Sequence, residues 1–227
     1  MRDGPDIAAI AALIGDPARA AMLSALMDGR ALTASELALE AGVTPQTASG
    51  HLSKLEAGGL LERTRQGRHA YLRLASPQVA GVLEGLMALS ARVGPRRVRP
   101  GPRDAALREA RVCYNHLAGR RGVQLYGSLL ARNALVVGPD GVAAGPELQA
   151  ALAPLDLDPD GLTGRAPLCR ECLDWSERRA HLAGRLGRAI LARMEALGWV
   201  RREAGSRVVR LTREGAARFD AAFPEVA

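Results

Sequence analysis

Five residues in the second half of the chain carry side chains that could bind a soft metal ion: Cys113, His116, Cys169, Cys172 and His181. Thiolate sulfur and imidazole nitrogen suit Zn(II), Cu(I) or a thiophilic metalloid, and three thiolates would suit As(III). Cys113 and His116 are three residues apart, so we predict that they share one face of a helix. Cys169 and Cys172 form a Cys-x2-Cys pair, and Trp175, which follows it, is a candidate lining residue of an effector pocket.

The same residues permit other interpretations. Arg170, Arg178 and Arg179 flank the second pair and could lower a thiol pKa, which would favour redox sensing. Cys113 beside His116 could instead serve as nucleophile and base in an enzymatic or ligand-binding module. The cysteines could also be small buried hydrophobic residues that bind nothing. The sequence has no Gly-rich phosphate loop, no His-Glu-x-x-His and no Gly-x-Ser-x-Gly motif, so we predict that the protein is not an enzyme.

The two histidines begin two copies of one heptapeptide, HLAGRRG at 116–122 and HLAGRLG at 181–187, which agree at six of seven positions. An apolar helix, a short strand, a Gly-containing turn and a further helix are predicted after each copy. The pattern predicts a duplicated sensing or dimerisation domain over residues 104–227, with winged-helix-like repeats at about 104–155 and 168–227. If the repeats face one another, Cys113, His116, Cys172 and His181 converge near a pseudo-two-fold axis.

A second group of residues, in the first half of the chain, could contact DNA: Thr44, Gln46, Thr47, Ser49, His51 and Lys54, together with Arg65 and Arg68. Short polar side chains on a capped helix can approach base edges, and arginines on a hairpin can contact phosphates or enter the minor groove. The segment from Lys54 to Arg73 has five positive and two negative residues, although residues 1–91 carry a net charge of −1. The alternative is a solvated strand edge that discourages aggregation.

Start and stop signals place these residues on a helix-turn-helix that is followed by a wing. Thr33 and Glu36 form a capping box that opens a short helix ending at Gly42, and Thr44 with Pro45 opens a second helix. The connection of about three residues is the helix-turn-helix spacing. Strands are predicted at 60–65 and 69–74 around a tip at 66–68. We therefore predict a winged helix-turn-helix over residues 1–91.

Residues 6–91 resemble the ArsR/SmtB family of bacterial repressors. The matching segments are GDPAR at 15–19, ELA at 36–38, TASGHLSKL at 47–55, LEAGGLL at 55–61 and RQGR at 65–68. The resemblance implies a homodimeric repressor that pairs through the first and last helices of this domain and reads a two-fold symmetric operator in double-stranded DNA. Metal-sensing members commonly place Cys or His on the helix before the turn or on the last helix. Here 36–42 has neither residue type and 77–91 offers only Glu84, so neither of those metal sites is implied.

Composition narrows the remaining function classes. The 227 residues carry a net charge of +7, and 48% are hydrophobic, which excludes a disordered chain. Aromatic residues are only 3%, so an aromatic platform for single-stranded nucleic acid is nearly excluded. Residues 92–103 have five arginines, three prolines and no acid, which predicts a linker.

No apolar run is long enough to span a membrane, and three cysteines do not make a disulfide scaffold, so we expect a cytoplasmic protein. The fold is predicted to be mostly α with small β-hairpin wings. The function that these observations favour is a dimeric transcriptional repressor, released from its operator by an effector sensed in the second half. That effector could be a metal, a redox signal or a small molecule.

Overall fold

The structure, a computed structural model, describes residues 5–66, 69–93, 102 and 104–226. The chain divides into two compact units, Met1–Leu83 and Glu84–Ala227. The helices are α1 (Ile7–Ile14), α2 (Pro17–Ala25), α3 (Ala34–Ala41), α4 (Pro45–Ala57), α5 (Pro77–Val93), α6 (Ala105–Glu109), α7 (Arg120–Ala131), α8 (Leu148–Leu152), α9 (Gly184–Ala196) and α10 (Arg213–Ala222). The strands are β1 (Leu32–Thr33), β2 (Leu61–Gln66), β3 (His69–Leu74), β4 (Arg111–Cys113), β5 (His116–Ala118), β6 (Leu135–Gly138), β7 (Gly141–Ala144), β8 (Arg170–Leu173), β9 (Ala180–Ala183), β10 (Val200–Arg202) and β11 (Val209–Leu211).

The turn between α3 and α4 is set by capping groups at both helix ends. At the start of α3, the Glu36 backbone N–H donates to the Thr33 side chain, and the Thr33 N–H donates to the Glu36 carboxylate at 2.7 Å. α3 ends at Gly42, whose φ of +64° is in the left-handed region that glycine adopts without strain. Thr44 then caps α4 by accepting from the Thr47 N–H. The predicted helix-turn-helix is confirmed.

A three-stranded antiparallel sheet of order β1-β3-β2 follows α4. Leu61 lies opposite Leu74 at the base of the β2–β3 hairpin, and Gln66 lies opposite His69 near its tip. Leu72 of β3 is buried together with Leu52 and Leu55 of α4. The predicted wing is confirmed as a hairpin, while its tip, including Arg68, lies outside the described residues.

α1 is apolar over its whole length, yet none of its residues is buried. It begins where the Asp6 side chain accepts a hydrogen bond from the Ala9 N–H. Within the described residues no single helix is long and apolar enough to cross a membrane. α1 and the following segment Pro17–Asp28 are long and apolar enough only when they are taken together, and the chain bends by 83° between them.

α5 carries the chain from one unit into the other. It runs without a break from Pro77 to Val93, and the division between the units falls at Glu84. The helix extends two residues into the segment that was predicted as a linker. Of the remaining linker residues, only Pro102 lies inside the described part of the chain.

The second unit repeats one order of elements: hairpin, helix, hairpin, helix. The first copy runs from β4 to α8, and the second runs from β8 to α10. The short helix α6 precedes the first copy and has no counterpart in the repeat. One core contains residues of both copies, among them Leu125, Leu186 and Phe219. The order of elements agrees with the predicted duplication, whereas the hairpin that leads each copy was not predicted, and the winged-helix-like character of the repeats stays a prediction.

The repeated HLAG segment is therefore a strand and a turn rather than the start of a helix. His116 and His181 lie on β5 and β9. The strand ends at a glycine with positive φ, +82° at Gly119 and +84° at Gly184. A methyl group at Gly119 would lie 2.6 Å from the carbonyl oxygen of Arg108, so only glycine fits this turn.

Candidate nucleic-acid interface and metal centre

α4 separates a buried apolar side from an exposed polar side. Ala48, Leu52 and Leu55 have no solvent exposure. The predicted contact residues of the opposite side are exposed: Gln46, Thr47, Ser49 and Lys54. Gly50 lies among them, and a methyl group built there would meet nothing within 4 Å. The exposed side of α4 is thus an unobstructed row of short polar groups ending in one cation.

Two other predicted contact residues are engaged within the unit. The Thr44 hydroxyl accepts from the Thr47 N–H at 3.2 Å and lies 2.9 Å from the Thr47 hydroxyl. His51 is only 18% exposed, and its Nδ1 lies 3.4 Å from a guanidinium nitrogen of Arg19 and 3.7 Å from a carboxylate oxygen of Asp16. The His51 ring therefore joins α4 to the start of α2, which favours packing over base contact.

The basic patch between Lys54 and Arg73 is smaller than its residue count indicates. Arg63 donates two hydrogen bonds to Glu56, at 2.8 and 2.6 Å, and these lower the pKa of that carboxyl. Arg73 pairs in the same way with Glu62. Within the described residues, Lys54 and Arg65 are the cations of this segment that have no ion-pair partner. One pair joins α4 to β2 and the other joins β2 to β3, and composition alone does not show which charges are paired.

In the second unit, four of the five predicted metal ligands come together. The ligand atoms of Cys113, His116, Cys172 and His181 all lie within 4.8 Å of one another. The two Nε2 atoms are 3.1 Å apart, and the rings stack with centroids 5.0 Å apart. Cys169 is not among them, because its thiol lies in the hydrophobic core of the unit. The four residues that the repeat was expected to bring together lie close to one another, whereas Cys169, which was also predicted as a ligand, lies apart from them.

Each Cys and His pair lies on a hairpin. Cys113 is opposite His116 across β4 and β5, and Cys172 is opposite His181 across β8 and β9. Side chains directly opposite in an antiparallel pair project from the same face of the sheet, so each hairpin presents one sulfur and one imidazole together. The predicted helical face for Cys113 and His116 is wrong. Tyr114 in the connecting turn has a φ of +58°, which is rare for a bulky residue, so the position that needs a positive φ carried no turn signal, although Asn115 follows it.

The repeated heptapeptide also supplies the space for this arrangement. β5 packs on α9 and β9 packs on α7, so each strand lies against the helix of the other copy. A methyl group at Gly122 would lie 2.5 Å from the carbonyl oxygen of Leu117, and one at Gly187 would lie 2.4 Å from that of Leu182, so each glycine lets its helix lie close to the strand of its own copy. The same methyl groups would lie 3.6 Å from Cβ of His181 and 3.3 Å from Cβ of His116, which places the last glycine of each heptapeptide beside the histidine of the opposite copy.

The two rings differ in what lies beside Nδ1. Nδ1 of His116 lies 3.3 Å from Oδ1 of Asn115, whereas Nδ1 of His181 has no hydrogen-bond partner among the described residues and lies 4.0 Å from Oδ2 of Asp174. The two Nε2 atoms are 3.1 Å apart, within hydrogen-bond distance, so one Nε2–H can donate to the other Nε2 when no metal ion is bound. A cation between the rings would require the ring hydrogen of both histidines at Nδ1, which leaves both Nε2 lone pairs as ligands.

Burial keeps both imidazoles neutral at neutral pH. It lowers the pKa of His116 well below its usual value, an effect that His181 reinforces, and it lowers the pKa of His181 to about 4. The hydrogen bond with Cys113, together with burial, raises the pKa of the Cys172 thiol. A metal ion would therefore meet two available nitrogens and would have to displace the thiol protons.

The dimensions of the cluster fit a tetrahedral zinc ion. Zn–N bonds of about 2.05 Å and Zn–S bonds of about 2.3 Å place two nitrogens about 3.3 Å apart and two sulfurs about 3.8 Å apart. The nitrogen separation of 3.1 Å is close to the first value, and the outer limit of 4.8 Å for all four ligand atoms is about 1 Å beyond the second, so the sulfurs would move inward to bind the ion. Two sulfurs with two nitrogens are typical of zinc. A three-thiolate As(III) site does not fit, because Cys169 lies elsewhere.

A buried ion pair holds the carboxylate beside His181. Asp174 accepts two hydrogen bonds from Arg111, at 2.7 and 2.8 Å, one from the Ser176 hydroxyl at 2.7 Å and one from the Gly119 N–H at 2.7 Å. Burial opposes its charge, but the charge of Arg111 and these hydrogen bonds outweigh burial and lower the pKa of Asp174. The Arg111 guanidinium lies over the Trp175 ring, with its central carbon 5.1 Å from the ring centroid. That Trp175 lines an effector pocket stays a prediction.

Comparison with known proteins identifies the family. A family model described as a helix-turn-helix domain matches residues 14–64. YdfF of Bacillus subtilis (strain 168), named an uncharacterized HTH-type transcriptional regulator, is 38% identical over 217 residues, which is 95% of this chain and 96% of that protein. The chain belongs to the HTH-type transcriptional regulators. Because the match extends over both units, the second unit is shared with this relative, and the predicted helix-turn-helix transcriptional regulator is confirmed.

Several solved structures resemble part of this regulator. The homodimeric winged helix-turn-helix DNA-binding domain Mb0332 of Mycobacterium bovis is 24% identical, with a TM-score of 0.37, and covers 43% of this chain and 96% of that one. The cadmium metal-sensor CMTR of Mycobacterium tuberculosis is 30% identical, with a TM-score of 0.33, and covers 43% of this chain and 99% of that one. NolR of Sinorhizobium fredii is 28% identical, with a TM-score of 0.34, over 39% of this chain and 85% of that one.

Proposed function

We propose that this regulator is a cytoplasmic homodimeric repressor that leaves its operator when the second unit binds a thiophilic metal ion, with zinc the best fit. The exposed side of α4 supports the DNA-binding part. The Gln46 amide can donate and accept at an adenine edge, while Lys54 and Arg65 can contact phosphates. In a two-fold dimer the two α4 helices would enter successive major grooves, about 34 Å apart.

Exposed apolar residues support the dimer. Ile7 is 78% exposed and Ile10 is also exposed on α1. Val82, Leu86 and Leu89 are exposed on α5 at a spacing that places them on one side of that helix. Exposed apolar rows of this kind mark interaction surfaces. α1 and α5 are also the helices through which the ArsR/SmtB resemblance implies pairing.

The observation that carries the metal proposal is the approach of two buried neutral histidines, Nε2 to Nε2 at 3.1 Å, between two thiols. A cation bound between them would take both Nε2 lone pairs and place the ring hydrogens at Nδ1, near Asn115 and Asp174. An ion bound here ties together one hairpin from each repeat. Binding that favours one arrangement of the unit can change DNA affinity through linkage between the two sites.

Redox sensing and catalysis are less well supported by the same residues. Burial raises the pKa of Cys169, and the hydrogen bond with Cys113 together with burial raises the pKa of Cys172, so the fraction of reactive thiolate is lowered at both. The Cys113 thiol donates to the Glu84 carboxylate at 3.3 Å, so it is not paired with His116 as a nucleophile with its base. We therefore propose a binding site and no catalytic activity.

Fluorescence anisotropy with a duplex taken from the region upstream of the protein's own coding sequence tests the DNA-binding proposal. Gln46→Ala combined with Thr47→Ala is expected to weaken specific binding by about 10-fold to 100-fold, as loss of base contacts does. Gln149→Ala combined with Thr163→Ala removes the same residue types from exposed positions of the second unit and should leave binding unchanged. Equal affinities for the two double variants would show that α4 does not read the DNA.

A further inference from the structure

A buried carboxylate closes the sulfur side of the cysteine and histidine cluster. Glu84 of α5 has a side chain that is 8% exposed. Its Oε1 accepts from the Cys113 thiol at 3.3 Å, and its Oε2 accepts from Arg170 at 2.9 Å. A hydrogen bond with Glu84 also contributes to the raised pKa of Cys172. Glu84 thus interacts with both thiols, and all these residues belong to the second unit.

Building on the metal site proposed above, we propose that Glu84 couples metal binding to the position of α5. A sulfur bound to a metal ion has no hydrogen left to donate. The carboxylate would then keep only Arg170 as a partner and would face two metal-bound sulfurs. Because a buried charged group that loses its donors is destabilised, Glu84 would withdraw from the cluster. In this account Glu84 is a positioning residue and not a metal ligand.

Because α5 is one continuous helix, a displacement of Glu84 would also affect helix residues outside the cysteine and histidine cluster. The helix is unbroken from Pro77 to Val93, and its residues before Glu84 belong to the DNA-binding unit. Backbone hydrogen bonds between each residue and the fourth before it make one turn resist moving without the next. A change at Glu84 therefore reaches residues 77–83 through the helix itself.

Amide hydrogen exchange of residues 77–93, with and without Zn(II), tests this coupling in the full chain. In the wild type, Zn(II) is expected to speed exchange at 84–93 by at least about fivefold. Glu84→Gln keeps an acceptor oxygen and adds an N–H that can donate to a metal-bound sulfur, so its exchange should not respond to Zn(II). Glu84→Ala removes the carboxylate altogether and should also lose the response. Glu203→Gln, on an exposed hairpin where Glu203 pairs with Arg210, is the control and should respond like the wild type.

Co(II) absorption reports the metal site independently of α5. If the wild type shows a thiolate charge-transfer band but exchange at 84–93 is unchanged by Zn(II), the coupling is refuted while the metal site stands. The coupling is also refuted, while the metal site stands, if Zn(II) changes the exchange of either Glu84 variant as much as it changes that of the wild type. If the wild type shows no band, the metal site itself fails and the coupling fails with it.

Discussion

Nε2 of His116 lies 3.1 Å from Nε2 of His181, and the two residues occupy equivalent positions of the two repeats, 65 residues apart. Each histidine is accompanied across its own hairpin by one cysteine. In the proposed metal site, one repeat alone would carry half of a tetrahedral ligand set. The duplication would then complete within one chain a site that a single copy could form only by pairing with a second copy.

Zinc content should separate the three cysteines. We expect about one zinc ion per chain to survive dialysis in the wild type, and almost none in Cys113→Ser or Cys172→Ser, because a four-ligand site loses a thiolate. Cys169→Ser is the matched control and should keep its zinc, since Cys169 packs in the core. Elemental analysis of the dialysed proteins makes the comparison. Zinc loss from Cys169→Ser, or retention in Cys172→Ser, would contradict the ligand assignment.

The buried pair of Arg111 and Asp174 should matter far more for stability than an exposed pair. Arg111→Met leaves a buried carboxylate without its counter-charge and should lower the free energy of unfolding by about 3–5 kcal/mol. Arg120→Met breaks pairs with Glu109 and Glu225, but Arg120 is 48% exposed, so a loss of about 0–1 kcal/mol is expected. Urea denaturation measures both. Similar losses in the two variants would show that Asp174 does not depend on Arg111.

Two glycines of the helix-turn-helix should respond to alanine with opposite signs. Gly50 lies inside α4 with open space around it, so Gly50→Ala should raise the free energy of unfolding by about 0.5–1 kcal/mol. Gly42 also has open space, but its φ is +64°, so Gly42→Ala should lower stability. Thermal unfolding of both variants gives the signs. Stabilisation by both substitutions would mean that backbone conformation does not decide the effect.

Release of Arg63 from its ion pair should be visible in the salt dependence of DNA binding. Glu56→Gln removes the carboxylate that holds Arg63, which frees a cation near Lys54 and Arg65. If Arg63 then reaches a phosphate, the slope of log affinity against log salt should steepen by about 0.9. Glu40→Gln makes the same charge change at an exposed position of α3 and should leave the slope as in the wild type. Identical slopes in all three proteins would rule out Arg63 as a phosphate contact.

Local signals allowed much of the fold to be predicted. The caps of α3 and α4 are hydrogen bonds within a few residues, such as that between Thr33 and Glu36, so residue type and spacing indicate them directly. The cluster was predicted from the repeat, because equivalent residues of two similar units meet near their common axis. Cys113, His116, Cys172 and His181 could thus be grouped without knowledge of their secondary structure.

Features that depend on distant contacts could not be predicted. The hairpin between Cys113 and His116 turns through Tyr114 at positive φ, where a glycine or asparagine would have signalled the turn. The position of Cys169 in the core depends on packing, which the Cys-x2-Cys spacing does not show. The contact between Glu84 and Cys113 joins residues 29 apart, and no local pattern points to it.

The response of DNA affinity to Zn(II) tests the central claim most directly. Anisotropy titrations of the upstream duplex would compare the wild type with the double variant Cys113→Ser and Cys172→Ser, each with and without saturating Zn(II). The account predicts that Zn(II) weakens binding by the wild type by at least about tenfold and leaves the double variant unchanged. Wild-type affinity that does not change with Zn(II), or a double variant that responds as strongly as the wild type, would contradict it.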